Sequence, residues 1–108
     1  MIYKNCIDIC HDCVAACDRC FFEGERTAEM DICATCADVC NLVARLTAKN
    51  LCCKEVYEFC AKICDECAMH CNKMEGEHAK VCAEACKKCA EACRKCYGDC
   101  KDIKTCCK

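Results

Sequence analysis

Apolar and polar positions along this chain recur at alternating gaps of three and four residues, in four stretches separated by short polar breaks. That spacing keeps side chains on one face of an α-helix. No proline interrupts the stretches, and there are only three glycines: Gly24, Gly76 and Gly98. Gly24 and Gly76 centre the polar runs "FFEGERTAEM" and "KMEGEHAK", so both mark turns. Asn50, between "LTAK" and "LCCKEV", marks a third turn, closing one helix or capping the next. The pattern predicts helices over about 2–22, 28–49, 52–74 and 77–103. Short connections force antiparallel neighbours, so the expected fold is all-α: an antiparallel up-down four-helix bundle with a cysteine-lined core. At 108 residues, one domain spanning 1–108 is expected.

The residue holding the seam of each helix is cysteine, where leucine would ordinarily stand. The first helix contributes Cys6, Cys10, Cys13, Cys17 and Cys20, and the second Cys33, Cys36 and Cys40. The third contributes Cys53, Cys60, Cys64, Cys67 and Cys71. The fourth contributes Cys82, Cys86, Cys89, Cys93, Cys96 and Cys100, with Cys107 in register if the helix extends that far. Twenty of the 22 cysteines fall in line; Cys52 and Cys106 do not. A second stripe, one position aside, carries Ile7, Val14, Phe21, Ile32, Val39, Leu46, Val56 and Ile63, which are expected to form the seams between adjacent helices.

The two ends of the cysteine column differ. In an up-down bundle the Gly24 and Gly76 turns share one end, where the seam continues into Met74 and His78, with Met30 and His70 close by. At the other end it continues into Tyr3, Val43, Tyr57 and Ile103. One mouth therefore offers soft or borderline ligands, and the other is expected to be plugged. His11 is expected to face solvent.

Composition sharpens this picture. Leu, Ile, Val and Phe together number 17, which is thin for a globular core, while the formal charge is only −2. The missing apolar volume must come from cysteine, which behaves as a small hydrophobe when buried, and from alanine. An isolated cysteine at such a position is ordinarily an inert core residue. Twenty in register are not, because leucine would stabilise the bundle far better. With acids and bases interleaved there is no basic face, so neither nucleic acid nor an anionic membrane is an expected partner. "MIYKNCIDIC" lacks the charged and apolar regions of a secretion signal, so a soluble, cytoplasmic protein with reduced thiols is expected.

Residues i and i+4 on a helix stand about 5–6 Å apart at Cβ, close enough for two thiolates to grip one ion. The chain carries eight such C-x-x-x-C pairs. Soft thiolates select Cu(I), Zn(II) and iron–sulfur clusters. Charge then discriminates: one Cu(I) per bridging thiolate neutralises the column, whereas each Zn(II) held by four thiolates leaves −2 in a buried space. A load of many Cu(I) ions per chain is the favoured reading.

The motifs "CIDIC", "CVAAC", "CADVC", "CAKIC", "CAMHC", "CAEAC" and "CYGDC" run through nearly the whole chain, and with them it resembles the bacterial copper storage proteins. The resemblance implies a four-helix bundle storing many Cu(I) ions on internal cysteines, with histidine or methionine help from His78 and Met74 at one mouth. It also implies assembly as a homotetramer, and the missing secretion signal is similar to the family's cytosolic branch. The copper donor or acceptor protein is left open. The second helix departs from the pattern, with only three seam cysteines before Val43 and Thr47. No roles follow for Cys52, Cys106, His11, His70 or Met30.

Other functions are weighed against storage. A zinc- or cadmium-sequestering protein would use the same ligands, but the chain has no C-x-C, the spacing that loop-built clusters favour. Six C-x-x-C units suggest a dithiol redox protein, yet most fall mid-helix, away from the helix N-terminus that depresses a thiol pKa. The C-x2-C-x2-C-x3-C run of iron–sulfur ferredoxins is absent. No nucleophile-and-base set, phosphate loop or apolar carboxylate pair points to an enzyme.

Overall fold

The computed structural model describes residues 2–23, 30–49, 51 and 54–99. They form four helices: α1 (Ile2–Glu23), α2 (Met30–Ala48), α3 (Lys54–Asn72) and α4 (Glu77–Asp99). Each packs on its sequence neighbours, and α1 closes the ring against α4, giving the antiparallel up-down bundle expected from the short connections. Gly24, Asn50, Cys52, Cys53, Cys100, Ile103, Cys106 and Cys107 lie outside the described residues, as do the side chains of Tyr3 and Met30.

α3 ends two residues before the expected position, because Lys73 N–H and Met74 N–H turn back onto the carbonyls of His70 and Cys71 at 3.1 Å. Such i→i+3 bonds tighten a last turn and stop the helix. Gly76 follows with φ +109°, a conformation that glycine adopts without strain, and its carbonyl accepts the first bond of α4, from Lys80 N–H. At the far end of α2, Leu51 N–H bonds the Leu46 carbonyl at 2.9 Å, the six-to-one closure of a Schellman-type stop.

Seven of the eight residues in the stripe of larger hydrophobes behave as expected; Leu46 is half-buried and is not among those packed against the core. Ile7, Val14, Phe21, Ile32, Val39 and Val56 are partly buried against the core, and Ile63 is buried within it. What the pattern did not separate is the role of alanine. Ala37, Ala61, Ala68, Ala83 and Ala90 each follow a seam cysteine by one residue, and all are buried; Ala16, Ala44 and Ala79 are buried too. Side chains this small let helix axes approach closely. Alanine thus sets the width of the bundle, and the narrow axis is left to sulfur.

Candidate metal centre

Seventeen cysteines are described, every one a buried free thiol: Cys6, Cys10, Cys13, Cys17, Cys20, Cys33, Cys36, Cys40, Cys60, Cys64, Cys67, Cys71, Cys82, Cys86, Cys89, Cys93 and Cys96. None is more than 2 % exposed. From Cys6 to Cys20 the column rises about 21 Å, at 1.5 Å per residue. Of the expected ligands, Cys53, Cys100 and Cys107 fall outside the described residues.

The i,i+4 geometry brings sulfurs together along each helix: Cys13 with Cys17, Cys36 with Cys40 and Cys60 with Cys64 at 3.9 Å, and Cys82 with Cys86 at 4.0 Å. Contacts of the same length cross the bundle. Cys10 meets Cys89 at 3.7 Å, Cys36 meets Cys64 at 3.7 Å, and Cys40 meets Cys60 at 3.8 Å. Even diagonal helices touch, through Cys17 and Cys67 at 4.0 Å and Cys36 and Cys86 at 3.8 Å. A disulfide needs about 2.05 Å between sulfurs, so these are neighbouring thiols and not crosslinks. They form one continuous sulfur network rather than isolated pairs.

Four groups of four thiols have all their sulfurs within 4.8 Å of one another: Cys13, Cys40, Cys64 and Cys89; Cys13, Cys17, Cys36 and Cys86; Cys17, Cys67, Cys82 and Cys86; and Cys20, Cys33, Cys71 and Cys82. A fifth group, Cys10, Cys89 and Cys93, has three. The first and last quartets each draw one thiol from every helix.

Proton sharing divides the thiols. S–H bonds from Cys40 and Cys64 hold Cys60 down at about 6, and those from Cys17 and Cys71 do the same for Cys67, also about 6. Cys36 is held below the ordinary thiol range by bonds from Cys13, Cys17, Cys40 and Cys64. Donors move the other way: Cys17 is raised chiefly by its bond to Cys13, and Cys40 by bonds to Cys13 and Cys36. Burial, followed by the negative charges of Cys33 and Cys82, pushes Cys20 up to about 12. A soft cation can replace protons throughout such a network, because every thiolate it creates has further sulfurs within reach.

The ends of the column differ as expected. On the Gly76 side, Met74 packs partly buried against the core, and His78 is half-buried one turn before Cys82. His78 Nδ1 is buried with no hydrogen-bond partner among the described residues. The imidazole lies over the turn, where a Cβ on Gly76 would stand 3.1 Å from His78 Nε2. His70 is half-buried and His11 exposed. At the opposite end Val43 and Tyr57 are buried, and the Tyr57 hydroxyl is 2.7 Å from Thr47 Oγ1. Thr47 as the polar partner within this plug escaped the sequence reading. The only signal was its seam position one turn beyond Val43.

The copper storage protein family model matches residues 2–105. The chain belongs to the copper storage protein family. Among solved structures, it is similar to the Cu(I)-bound copper storage protein BsCsp3, with 32% identity over 90% of this chain and 99% of that one, and a TM-score of 0.82. It is likewise similar to apo-Csp3, copper storage protein 3 from Bacillus subtilis, with 34% identity, 87% and 97% coverage, and a TM-score of 0.80. No curated protein matches the chain significantly. The TM-scores show that the four-helix fold of this chain is shared with these two copper storage proteins. Among the described residues, no helix is long and apolar enough to cross a membrane.

Proposed function

We propose that this chain stores and buffers many Cu(I) ions in the cytoplasm, on thiolates lining the axis of its bundle, and that it is a binding protein and not a catalyst. The observation carrying the reading is the continuous network of buried sulfurs, with contacts of 3.6–4.0 Å within and between helices. Soft, singly charged ions bridged by thiolates neutralise such a column, so filling it removes the charge that deprotonation creates. The ligands are the seam cysteines, including Cys53, Cys100 and Cys107 where they continue the register. Met74 and His78 receive copper at the Gly76 mouth, His78 through its buried Nδ1, which has no hydrogen-bond partner among the described residues.

The Val43, Thr47 and Tyr57 layer closes the other end, so loading proceeds from one side. Family likeness supports assembly as a homotetramer, and the absence of a basic face supports copper ions, rather than nucleic acid or membrane, as the partner. The chain keeps a redox-active ion away from other thiol and iron–sulfur sites. Copper counted against protein in a sample purified anaerobically from the soluble fraction of copper-fed cells tests the whole reading. Many copper ions per chain are expected; one or two, or recovery outside the cytoplasm, contradict it.

A further inference from the structure

The four quartets of thiols share members, and the sharing has a definite pattern. Among the described residues, every quartet contains Cys13 or Cys82. No more than two of the quartets formed by the described cysteines can therefore be occupied at once without sharing a sulfur. Several pairings reach that ceiling, such as Cys13, Cys17, Cys36 and Cys86 together with Cys20, Cys33, Cys71 and Cys82.

The shape of these groups also matters. With Zn–S bonds of about 2.3 Å, a tetrahedral site has sulfurs about 3.8 Å apart on every edge. In the quartet of Cys13, Cys17, Cys36 and Cys86, five edges measure 3.9, 4.0, 3.7, 3.6 and 3.8 Å. In that of Cys17, Cys67, Cys82 and Cys86, five measure 4.0, 3.6, 3.6, 4.0 and 4.0 Å. In these two quartets, which share Cys17 and Cys86, the sixth edge lies within 4.8 Å, so the sulfurs stand near the corners of a tetrahedron before any ion is present.

We propose that the copper-free protein binds up to two tetrahedral divalent ions of the zinc class, at four-thiolate sites that each include Cys13 or Cys82. Each Zn(II) takes four thiolates, displacing the protons of those still in the thiol form, and leaves a net charge of −2 on the four-sulfur site. That charge holds the count to isolated sites, and it is removed when Cu(I) takes over the sulfurs. Each ion ties at least three helices together across an axis that has few large hydrophobes to hold it. Because Zn(II) forms weaker thiolate complexes than copper, copper displaces it and returns both ions to solution.

Anaerobic titration of the reduced protein with Co(II) alone, followed by Zn(II) alone, tests the proposal. Co(II) reports a four-sulfur tetrahedral environment by its intense visible absorption. The expected endpoint is two such ions per chain, both displaced by Zn(II), and two Zn(II) released on adding Cu(I). Cys82→Ser is expected to halve the count, as is Cys13→Ser, and the double variant to abolish the four-sulfur signal. Cys71→Ser is expected to keep two, because Cys13, Cys40, Cys64 and Cys89 remain disjoint from Cys17, Cys67, Cys82 and Cys86.

Circular dichroism checks that each variant folds. If one does not, the wild-type endpoint decides alone: absence of four-sulfur binding, or more than two such ions, overturns the proposal. Retention of the signal in a folded double variant overturns it as well. The proposal stands apart from copper storage, since a lumen that takes Cu(I) but refuses Zn(II) and Co(II) sinks this inference only.

Discussion

Thr47 Oγ1 and the Tyr57 hydroxyl meet at 2.7 Å, the two residues being 3 % exposed each, at the end of the sulfur column where α2 runs out of cysteine. Two polar groups thus meet at the end of a column that, among the described residues, is lined by sulfur and carbon. Removing the Tyr57 hydroxyl takes this partner from the buried Thr47 Oγ1, and a buried hydroxyl that loses its partner costs about 1–3 kcal/mol. Tyr57→Phe is expected to lose stability in this range, Thr47→Val to lose stability as well, and the double variant to lose less than their sum. Urea unfolding of the reduced apo-protein checks this; strict additivity would mean the hydrogen bond is not what holds the pair.

The thiol network also predicts how apo stability varies with pH. Between pH 6 and 9, Cys60 and Cys67 have lost their protons in the folded chain, while thiols in the unfolded chain, titrating near 9.0, still hold theirs. The unfolded state binds more protons, so stability rises with pH across this window. Between pH 9 and 12 the order reverses, because Cys20 keeps its proton in the bundle after the unfolded chain has released it. Stability then falls as pH rises. Anaerobic thermal melts are expected to show a maximum near pH 9; a profile that falls steadily from pH 6 would contradict these assignments.

Gly76 combines φ +109° with a place where an added Cβ would sit 3.1 Å from the His78 ring. An L-residue held in left-handed backbone loses about 1–2 kcal/mol. Gly76→Ala is expected to destabilise the apo-protein by that amount and to displace the imidazole, moving the His78 ring resonances in an NMR spectrum. His78→Ala in the same background should relieve the contact but not the backbone strain.

Ala90 is 1 % exposed and sits one residue beyond Cys89. Inserting a larger side chain into such a close helix contact costs about 1–3 kcal/mol and pushes backbones apart. Ala90→Leu is expected to lower stability and, by widening the axis, to reduce the number of Cu(I) ions held. Its small volume is therefore a condition for sulfurs on different helices to meet. An unchanged copper count would show that the lumen width is set elsewhere.

Much of this arrangement was legible in the chain. The three-and-four spacing put the seventeen described cysteines on one helix face each, and that face proved to be the buried axis. The turn at Gly76 followed from residue type alone. Less could be read where the side chain carries no chemical mark. Alanine looks the same on an exposed face as in a helix contact, so the role of Ala83 and Ala90 emerged only from packing. Thr47 read as a break in the cysteine series, because its partner, Tyr57, lies on another helix. The quartets were invisible for the same reason. Spacing within one helix shows pairs such as Cys13 and Cys17, and only the packing of α2 and α4 supplies Cys36 and Cys86.

The central claim is that buried sulfurs fill the bundle axis so that it can be charged with singly charged soft cations. Anaerobic titration of the reduced protein with Cu(I), against a chromophoric Cu(I) chelator, measures this most directly. The account predicts saturation on the order of one ion per luminal thiol, with the helical signal intact and the melting temperature raised by metal bound to the folded form. Saturation at one or two ions per chain, with the melting temperature unmoved, would contradict it.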